Sequence, residues 1–143
     1  MTERTIYRGS NLVTTAAVLF EQGRFFLAQR GAGGSEAFRW EFPGGKCDQD
    51  YSEADCLKRE LYEELNVHVE VGDELGSVAF TSSRGPLILV AYRAQATGGW
   101  PQLGFHIACG WFTPAEAQSL DLSQSDRTIL AALDPDSLAD RTV

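Results

Sequence analysis

The sequence predicts an α+β fold in which a mixed β-sheet lies between helices. Apolar, β-branched segments come first, a long amphipathic helix follows them, and further strands and helices come after it. The chain has 143 residues, of which 43% are hydrophobic and 22% are charged. This composition is typical of a globular protein, and the length allows a core without disulfides or metals. We therefore predict a single domain over residues 1–143.

The first strands of the predicted sheet precede the long helix. Residues 12–20 form a β-branched apolar strand, and a short turn returns the chain as a second strand over residues 24–29. A glycine-rich loop at 31–38 leads to a short strand at 40–42. We expect this strand to be broken by Pro43 and the two glycines that follow it.

The clearest helix is predicted over residues 52–65. Ser52 is a residue type that caps helix N-termini, and Asp55 stands where a capping box usually has Glu. Leucines recur at i, i+4 and i+8, which gives the helix one apolar stripe. Asn66 tolerates the left-handed backbone of a helix C-cap, so we expect the helix to end there.

Strands and short helices alternate in the second half of the chain. Strands are predicted over residues 67–71, 75–81, 87–96 and 107–112, with a hairpin loop over 82–86. Thr113 and Pro114 have the residue types of an N-cap and a first helical position. A last helix is predicted over residues 125–133.

The charge and hydropathy of the chain limit its partners. The formal net charge of −8 repels the phosphates of duplex nucleic acid, whereas a small nucleotide neutralised by Mg²⁺ is compatible with it. No apolar run reaches the roughly 18 residues that a membrane span needs, and the N-terminal segment lacks the apolar core of a signal peptide. We therefore predict a cytoplasmic protein without a membrane partner. Its oligomeric state is left open, with a homodimer as one option.

Cys47, Cys56 and Cys109 are odd in number and contain no C-x-x-C pair. A catalytic thiol is not favoured among them. We therefore expect reduced thiols that pack as small apolar groups, without a disulfide framework.

Acidic side chains form a ridge along the predicted helix. At about 100° per residue, Glu60 and Glu64 lie about 40° apart, with Glu63 about 60° to the other side of Glu60. Like charges at this spacing destabilise a helix, and a bound Mg²⁺ or Mn²⁺ would remove that cost. The ridge alone fits a solvated acidic face as well as a metal site. The preceding Gly44-Gly45 favours the metal site, because glycines let the backbone approach a ligand closely.

The segment over residues 40–67 resembles the Nudix box, G-x5-E-x7-R-E-U-x-E-E-x-G-U, in which U is a bulky aliphatic residue. The matching positions are Gly45, Arg59, Glu60, Leu61, Glu63, Glu64 and Val67. The lead-in WEFPGGK and the Gln29-Arg30 pair are similar to those of the MutT-type branch, which hydrolyses nucleoside triphosphates. The resemblance implies an α/β/α sandwich around a mixed sheet.

The resemblance also implies a reaction, in which a nucleoside triphosphate is cleaved to a monophosphate and pyrophosphate. Mg²⁺ or Mn²⁺ would be the cofactor, held by the three glutamates of the ridge with a carbonyl of Gly44 or Gly45. Arg59 would orient the glutamates by pairing. A carboxylate would accept the proton of the attacking water, with Glu60 as the first choice and Glu64 as the alternative.

Substrate contacts are expected from basic and aromatic side chains. The basic candidates are Arg30, Lys46 and, in the later hairpin loop, Arg84. A base would stack on aromatic residues, for which the candidates are Phe38, Trp40, Phe80 and Trp100.

The chain departs from the family pattern at its box. Tyr51 stands where the box has Glu, and Asn66 stands where it has Gly. Asn suits that backbone position, so only the first change puts the site in doubt. Acidic neighbours are candidates to replace the missing Glu, namely Asp48, Asp50 and Glu53.

A second departure is the absence of Asp and Glu from residue 75 to residue 115, where related enzymes often place another carboxylate. If a base comes from this segment, His106 is the candidate. Both departures leave open a second function, a Nudix-fold module that binds a nucleotide with little or no catalysis. Within the hydrolases, the alternative substrates are ADP-ribose and a nucleotide sugar.

Overall fold

The computed structural model describes residues 7–47, 52–83, 85–99 and 101–139. Eight strands lie in this part of the chain: β1 (Tyr7–Arg8), β2 (Asn11–Glu21), β3 (Arg24–Arg30), β4 (Trp40–Glu41), β5 (Gly44–Lys46), β6 (His68–Ser82), β7 (Gly85–Gly98) and β8 (His106–Phe112). It also contains four helices: α1 (Glu53–Leu65), α2 (Pro114–Ser119), α3 (Gln124–Ala132) and α4 (Pro135–Ala139). Every predicted strand and helix is present, although the two strands predicted at 67–71 and 75–81 join to form β6.

The sheet is mixed, as predicted. At its centre, β2 pairs in parallel with β7 and antiparallel with β3 and β5. The long β6 is antiparallel to β7, and β3 is also antiparallel to β4 and β8.

Helices cover both faces of this sheet, and β2 shows why. Successive side chains of a strand point to opposite faces. Val18 packs in a core cluster with Ile129 of α3, whereas the neighbouring Leu19 packs in a second cluster with Leu61 of α1. Because the central strand is apolar on both faces, it can be buried only between two helical layers. The predicted α/β/α sandwich is confirmed.

Helix α1 begins and ends where the sequence predicts. Ser52 is its N-cap, and the Ser52 hydroxyl accepts a hydrogen bond from the backbone N–H of Asp55 at 3.2 Å. Asn66 is its C-cap in the left-handed conformation, with φ of 58°. The caps set the length of the helix, whereas burial of its leucine stripe against the sheet sets its rotation, so its glutamates lie at the border of the stripe.

Strand β5 was not predicted, because Pro43 and two glycines were expected to break the chain there. Gly44 and Gly45 instead pair with Ala16 and Thr15 of β2. A Cβ atom at Gly44 would overlap the backbone oxygen of Thr15. The glycine therefore allows a backbone approach here, rather than the turn that the sequence suggested.

The prediction of reduced thiols was wrong for two of the three cysteines. Cys47 and Cys56 form a disulfide, and both are fully buried. Cys109 is the free thiol among the described cysteines. The count and spacing of cysteines do not reveal that β5 runs beside α1. This arrangement brings the two Cα atoms to 5.5 Å, within the range that a disulfide spans.

Several residues singled out by sequence lie outside the described residues, namely Asp48, Asp50, Tyr51, Arg84 and Trp100. Their predicted roles stay predictions. In the part of the chain that the structure describes, no helix is long and apolar enough to cross a membrane.

Candidate functional site

A cleft of about 420 Å³ brings most of the predicted site residues together. The acidic end of the cleft is lined by Gly44, Gly45, Lys46, Glu60 and Glu64. Its apolar end is lined by Phe42, Phe80, Leu87 and Leu89, with Asp126 beside them. Arg30, Glu41 and Phe105 also line the cleft.

The acidic end is formed where β5 meets α1. A Cβ atom at Gly45 would lie only 2.6 Å from Oε2 of Glu60. The Glu60 carboxylate therefore occupies the space that any larger residue at position 45 would need. The Glu60 carboxylate therefore lies close to the backbone of β5, and a larger residue at position 45 would require the Glu60 side chain to move.

The two glycine carbonyls point in opposite directions. The Gly45 carbonyl accepts a hydrogen bond from the Thr15 hydroxyl at 3.1 Å, on the side of β5 that faces β2. The next bond of this ladder runs from Ala17 N–H to the Pro43 carbonyl at 2.7 Å. Because carbonyl direction alternates along a strand, the Gly44 carbonyl points away from β2. Of the two predicted carbonyl ligands, Gly44 is therefore the one with its oxygen directed away from the sheet.

Glu64 carries the strongest electrostatic signal at this end of the cleft. Burial raises its pKa to about 7, and the neighbouring Glu60 carboxylate acts in the same direction. The imidazole of His106 opposes this rise but does not cancel it. Two carboxylates held together in a partly desolvated site favour the binding of a cation, which would stabilise the ionised form of both.

Glu63 does not line the cleft, although it lies beside Glu64 in a second surface depression. Its side chain is 59% exposed, and the depression is also lined by Tyr62, Asn66 and Gln102. Nε of Arg59 lies 3.9 Å from Oε1 of Glu63, the i, i+4 pairing expected from the sequence. The structure thus brings two of the three predicted carboxylates into the cleft.

Of the predicted substrate contacts, Arg30 and Lys46 both line the cleft. Nη1 of Arg30 lies 3.3 Å from Oε1 of Glu41, and its guanidinium carbon lies 4.8 Å from the ring centroid of Phe105. Among the predicted aromatic residues, Phe80 lines the apolar end, whereas Phe38 is 52% exposed.

Asp126 lines the cleft and was not predicted from the sequence. Burial raises its pKa to about 7. Its Oδ1 accepts a hydrogen bond from the backbone N–H of Phe42 at 3.1 Å, and the Ser123 hydroxyl bonds its other oxygen. A signal was available, because Asp126 shares one face of its helix with the apolar Ile129 and Leu130. In the sequence alone, Ser123 and Asp126 have the spacing of a helix cap, which does not distinguish Asp126 as a site residue.

Glu53 does not join the acidic end of the cleft. Nη2 of Arg8 lies 2.7 Å from Oε1 of Glu53, and the Tyr92 hydroxyl donates to the same oxygen at 2.5 Å. Arg8 also pairs with Glu74 at 2.7 Å. The hydrogen bonds from Arg8 hold the pKa of Glu53 below its usual value. This carboxylate is committed to a structural ion pair, which argues against its replacing the box Glu.

The acidic end has the donor set for a magnesium ion that also contacts substrate. Within the described residues, no group of three or more His, Cys, Asp or Glu side chains could hold a metal ion. The cleft instead offers two carboxylates, Glu60 and Glu64, and the outward carbonyl of Gly44. Mg²⁺ is commonly bound by one or two carboxylates together with waters and substrate phosphates. These residues fit that manner of binding better than a closed protein cage.

Comparisons with known proteins place this geometry in a family. Residues 10–133 match the model of the NUDIX domain. The chain is 36% identical over 117 residues to a CTP pyrophosphohydrolase of Escherichia coli (strain K12), covering 82% of this chain and 87% of that protein. It is 36% identical over 126 residues to a Mycobacterium tuberculosis (strain CDC 1551 / Oshkosh) protein named "Putative 8-oxo-dGTP diphosphatase 2", covering 86% and 88%. A crystal structure of MutT protein from Methanosarcina mazei Go1 has a similar fold, with a TM-score of 0.79, 23% identity, and coverage of 92% and 99%.

Proposed function

Because this chain belongs to the NUDIX family of hydrolases, which act on nucleotide pyrophosphate bonds, we propose that its substrate is a nucleoside triphosphate. The products would be the monophosphate and pyrophosphate. The names of the Escherichia coli and Mycobacterium tuberculosis relatives, both of which refer to nucleoside triphosphates, support this substrate class.

One observation carries the proposal: the cleft joins an acidic end to an apolar end. The acidic end, with Glu60 packed against Gly45, suits a metal-bound polyphosphate. The apolar end, with Phe80 and Leu89, suits a base. A volume of about 420 Å³ lies within the range of small-molecule sites.

We assign Glu60, Glu64 and the Gly44 carbonyl to a bound Mg²⁺ or Mn²⁺. Such an ion would neutralise phosphate charge and lower the pKa of water. Arg30 and Lys46 would bind phosphate oxygens, since they line the same cleft. Glu60 is the first candidate to accept the proton of the attacking water and Glu64 is the alternative, since both carboxylates line the cleft.

A cytoplasmic location also belongs to this proposal, because nucleoside triphosphates are cytoplasmic metabolites. The Cys47–Cys56 disulfide is uncommon in reducing compartments, so its state in the cell is informative. To determine that state, cells would be quenched rapidly in acid and the free thiols then alkylated at neutral pH. If Cys47 and Cys56 both resist alkylation, the disulfide is present in the cell, which would indicate an oxidising environment and argue against the cytoplasm.

A screen that follows release of the nucleoside monophosphate, the product that all candidate substrates share, tests the proposed function. The substrates would be the common and oxidised nucleoside triphosphates, ADP-ribose and a nucleotide sugar, each with Mg²⁺ and with Mn²⁺. Cleavage of a triphosphate that is lost in Glu60→Gln supports the proposal. Cleavage of ADP-ribose or a nucleotide sugar alone would overturn the substrate class. Nucleotide binding without cleavage, under either metal, would favour a binding module.

A further inference from the structure

Three side chains from neighbouring strands meet at the side of the cleft. Arg30 ends β3, Glu41 lies on β4 and His106 begins β8. Nη1 of Arg30 lies 3.3 Å from Oε1 of Glu41, and Nε2 of His106 lies 2.9 Å from Oε2. The Glu41 carboxylate is therefore held through both of its oxygens.

The register of the strands explains how these residues meet. Glu41 pairs with Ala28, and Arg30 lies two residues further along β3, on the same face. The ladder between β3 and β8 shifts next to Arg30, so that His106 rather than Ile107 stands opposite it. His106 is consequently 1% exposed, whereas Ile107 is 50% exposed. Such irregularities often redirect a side chain beside an active site.

Phe105 completes the surroundings of Arg30. Its ring centroid lies 4.8 Å from the guanidinium carbon of Arg30 and 5.1 Å from the His106 ring, which it meets edge-on. The guanidinium is thus limited in two directions, by the carboxylate of Glu41 and by an aromatic face. A guanidinium held in this way presents its remaining N–H groups in a fixed orientation.

His106 has one polar contact that accounts for its burial. An ionised carboxylate only accepts hydrogen bonds, so Nε2 of His106 is the donor to Glu41. Within the described residues, Nδ1 of His106 is buried without a hydrogen-bond partner. The contact with Glu41 is thus the polar interaction that holds this buried ring at the side of the cleft.

We propose that His106 is a positioning residue for nucleotide binding. By donating to Glu41, His106 fixes the carboxylate that orients the Arg30 guanidinium toward the substrate phosphates. This inference rests on the proposed function, because it takes Arg30 as a phosphate contact. His106 does not itself line the cleft, so its removal should weaken binding more than turnover.

Two amide variants of His106 provide a matched test. The longer His106→Gln side chain can place its amide nitrogen where Nε2 lies, and the shorter His106→Asn side chain cannot. The measurement is the Kd for the α,β-methylene analogue of CTP with Mg²⁺, with the dGTP analogue as a second probe. We expect Asn to raise the Kd about ten-fold, as loss of a hydrogen bond to a charged group does, and Gln to stay within about three-fold of wild type. KM should follow Kd, with a smaller change in kcat.

The same substitution in an Arg30→Met background separates positioning from a structural role. His106→Asn should have no further effect on Kd there, because the guanidinium that it orients is gone. A multiplicative further loss of affinity, or equal affinities for Asn, Gln and wild type, would overturn the inference. If a thermal melt shows that the His106→Asn variant does not fold, His106→Leu replaces it in the same double-mutant cycle. A wild type that binds neither analogue would instead count against the proposed function.

Discussion

Glu53 and Glu64 lie on the same face of α1 but in opposite electrostatic surroundings. Glu53, at the start of the helix, is held by Arg8 and Tyr92, and its pKa is below the usual value. Glu64, at the other end, is raised to a pKa of about 7 by burial and by Glu60. We therefore distinguish a structural end of α1, where Arg8 satisfies the Glu53 carboxylate, from a proposed functional end, where Glu64 and Glu60 would be stabilised by an added cation.

The largest expected effect comes from replacing the carboxylate at each end. Glu64→Gln should lower kcat by roughly 10²–10⁴-fold, since it removes the carboxylate that we propose as metal ligand or proton acceptor. Glu53→Gln should change kcat by less than about five-fold, because an ion pair remote from the reacting atoms contributes mainly to stability. Steady-state kinetics on the triphosphate that wild type cleaves best would measure both. Equal losses in the two variants would remove the distinction between the ends.

Removal of the Cys47–Cys56 disulfide should have the next largest effect, which is on the free energy of unfolding. Loss of the Cys47–Cys56 cross-link is expected to lower the free energy of unfolding by about 3 kcal/mol, as loop-closure entropy predicts for a short loop. Urea unfolding of a Cys47→Ala, Cys56→Ala double variant would measure this change. Cys109→Ala, which removes the free thiol, is the control. A double variant as stable as the control would contradict the cross-link's role.

A smaller loss of stability is expected at the structural end. Glu53→Gln should lower the free energy of unfolding by about 1 kcal/mol, because the guanidinium of Arg8 loses its charge-assisted hydrogen bonds to Glu53 and keeps those to Glu74. Glu70→Gln, an exposed position on β6, is a suitable control. Thermal or urea unfolding that shows no difference between these two variants would refute a structural role for Glu53.

Asp126 is a second carboxylate whose pKa is raised by burial, as that of Glu64 is. In the folded protein this pKa is about 7, against an ordinary value of 3.8. Between pH 3.8 and about pH 7, the folded state therefore binds a proton more tightly than the unfolded state does, and wild-type stability should fall as the pH rises through this range. Asp126→Asn removes that dependence. Relative to the variant, wild type should lose at least about 1 kcal/mol between pH 5 and pH 8. Parallel urea-unfolding profiles across this range would show that the carboxylate is not desolvated.

Local patterns made α1 and its acidic face predictable. The Ser52 cap, the leucine spacing and the Asn66 cap act within a few residues, and together they set which way Glu60 and Glu64 point. Helical spacing alone could not tell that Glu63 would face solvent. That outcome depends on which elements pack against the helix.

Contacts between distant segments could not be predicted. Glu41 and His106 are far apart in sequence, and they meet only because β4 and β8 flank β3. Cys47 and Cys56 pair because β5 pairs with β2. Strand β5 was not predicted, because its two glycines are not typical of a strand. Asp126 is joined to Phe42 by a hydrogen bond across the fold. Each of these residues is ordinary in its own sequence window, and only the sheet gives it a partner.

Mn²⁺ affinity tests the central distinction most directly, because it requires neither substrate nor turnover. Isothermal titration or electron paramagnetic resonance would compare wild type, Glu64→Gln and Glu53→Gln under one buffer. We predict that Glu64→Gln weakens Mn²⁺ binding by at least about ten-fold, whereas the Mn²⁺ affinity of Glu53→Gln stays within about two-fold of wild type. Equal weakening in both variants, or none in Glu64→Gln, would contradict a functional end of α1 built around Glu64.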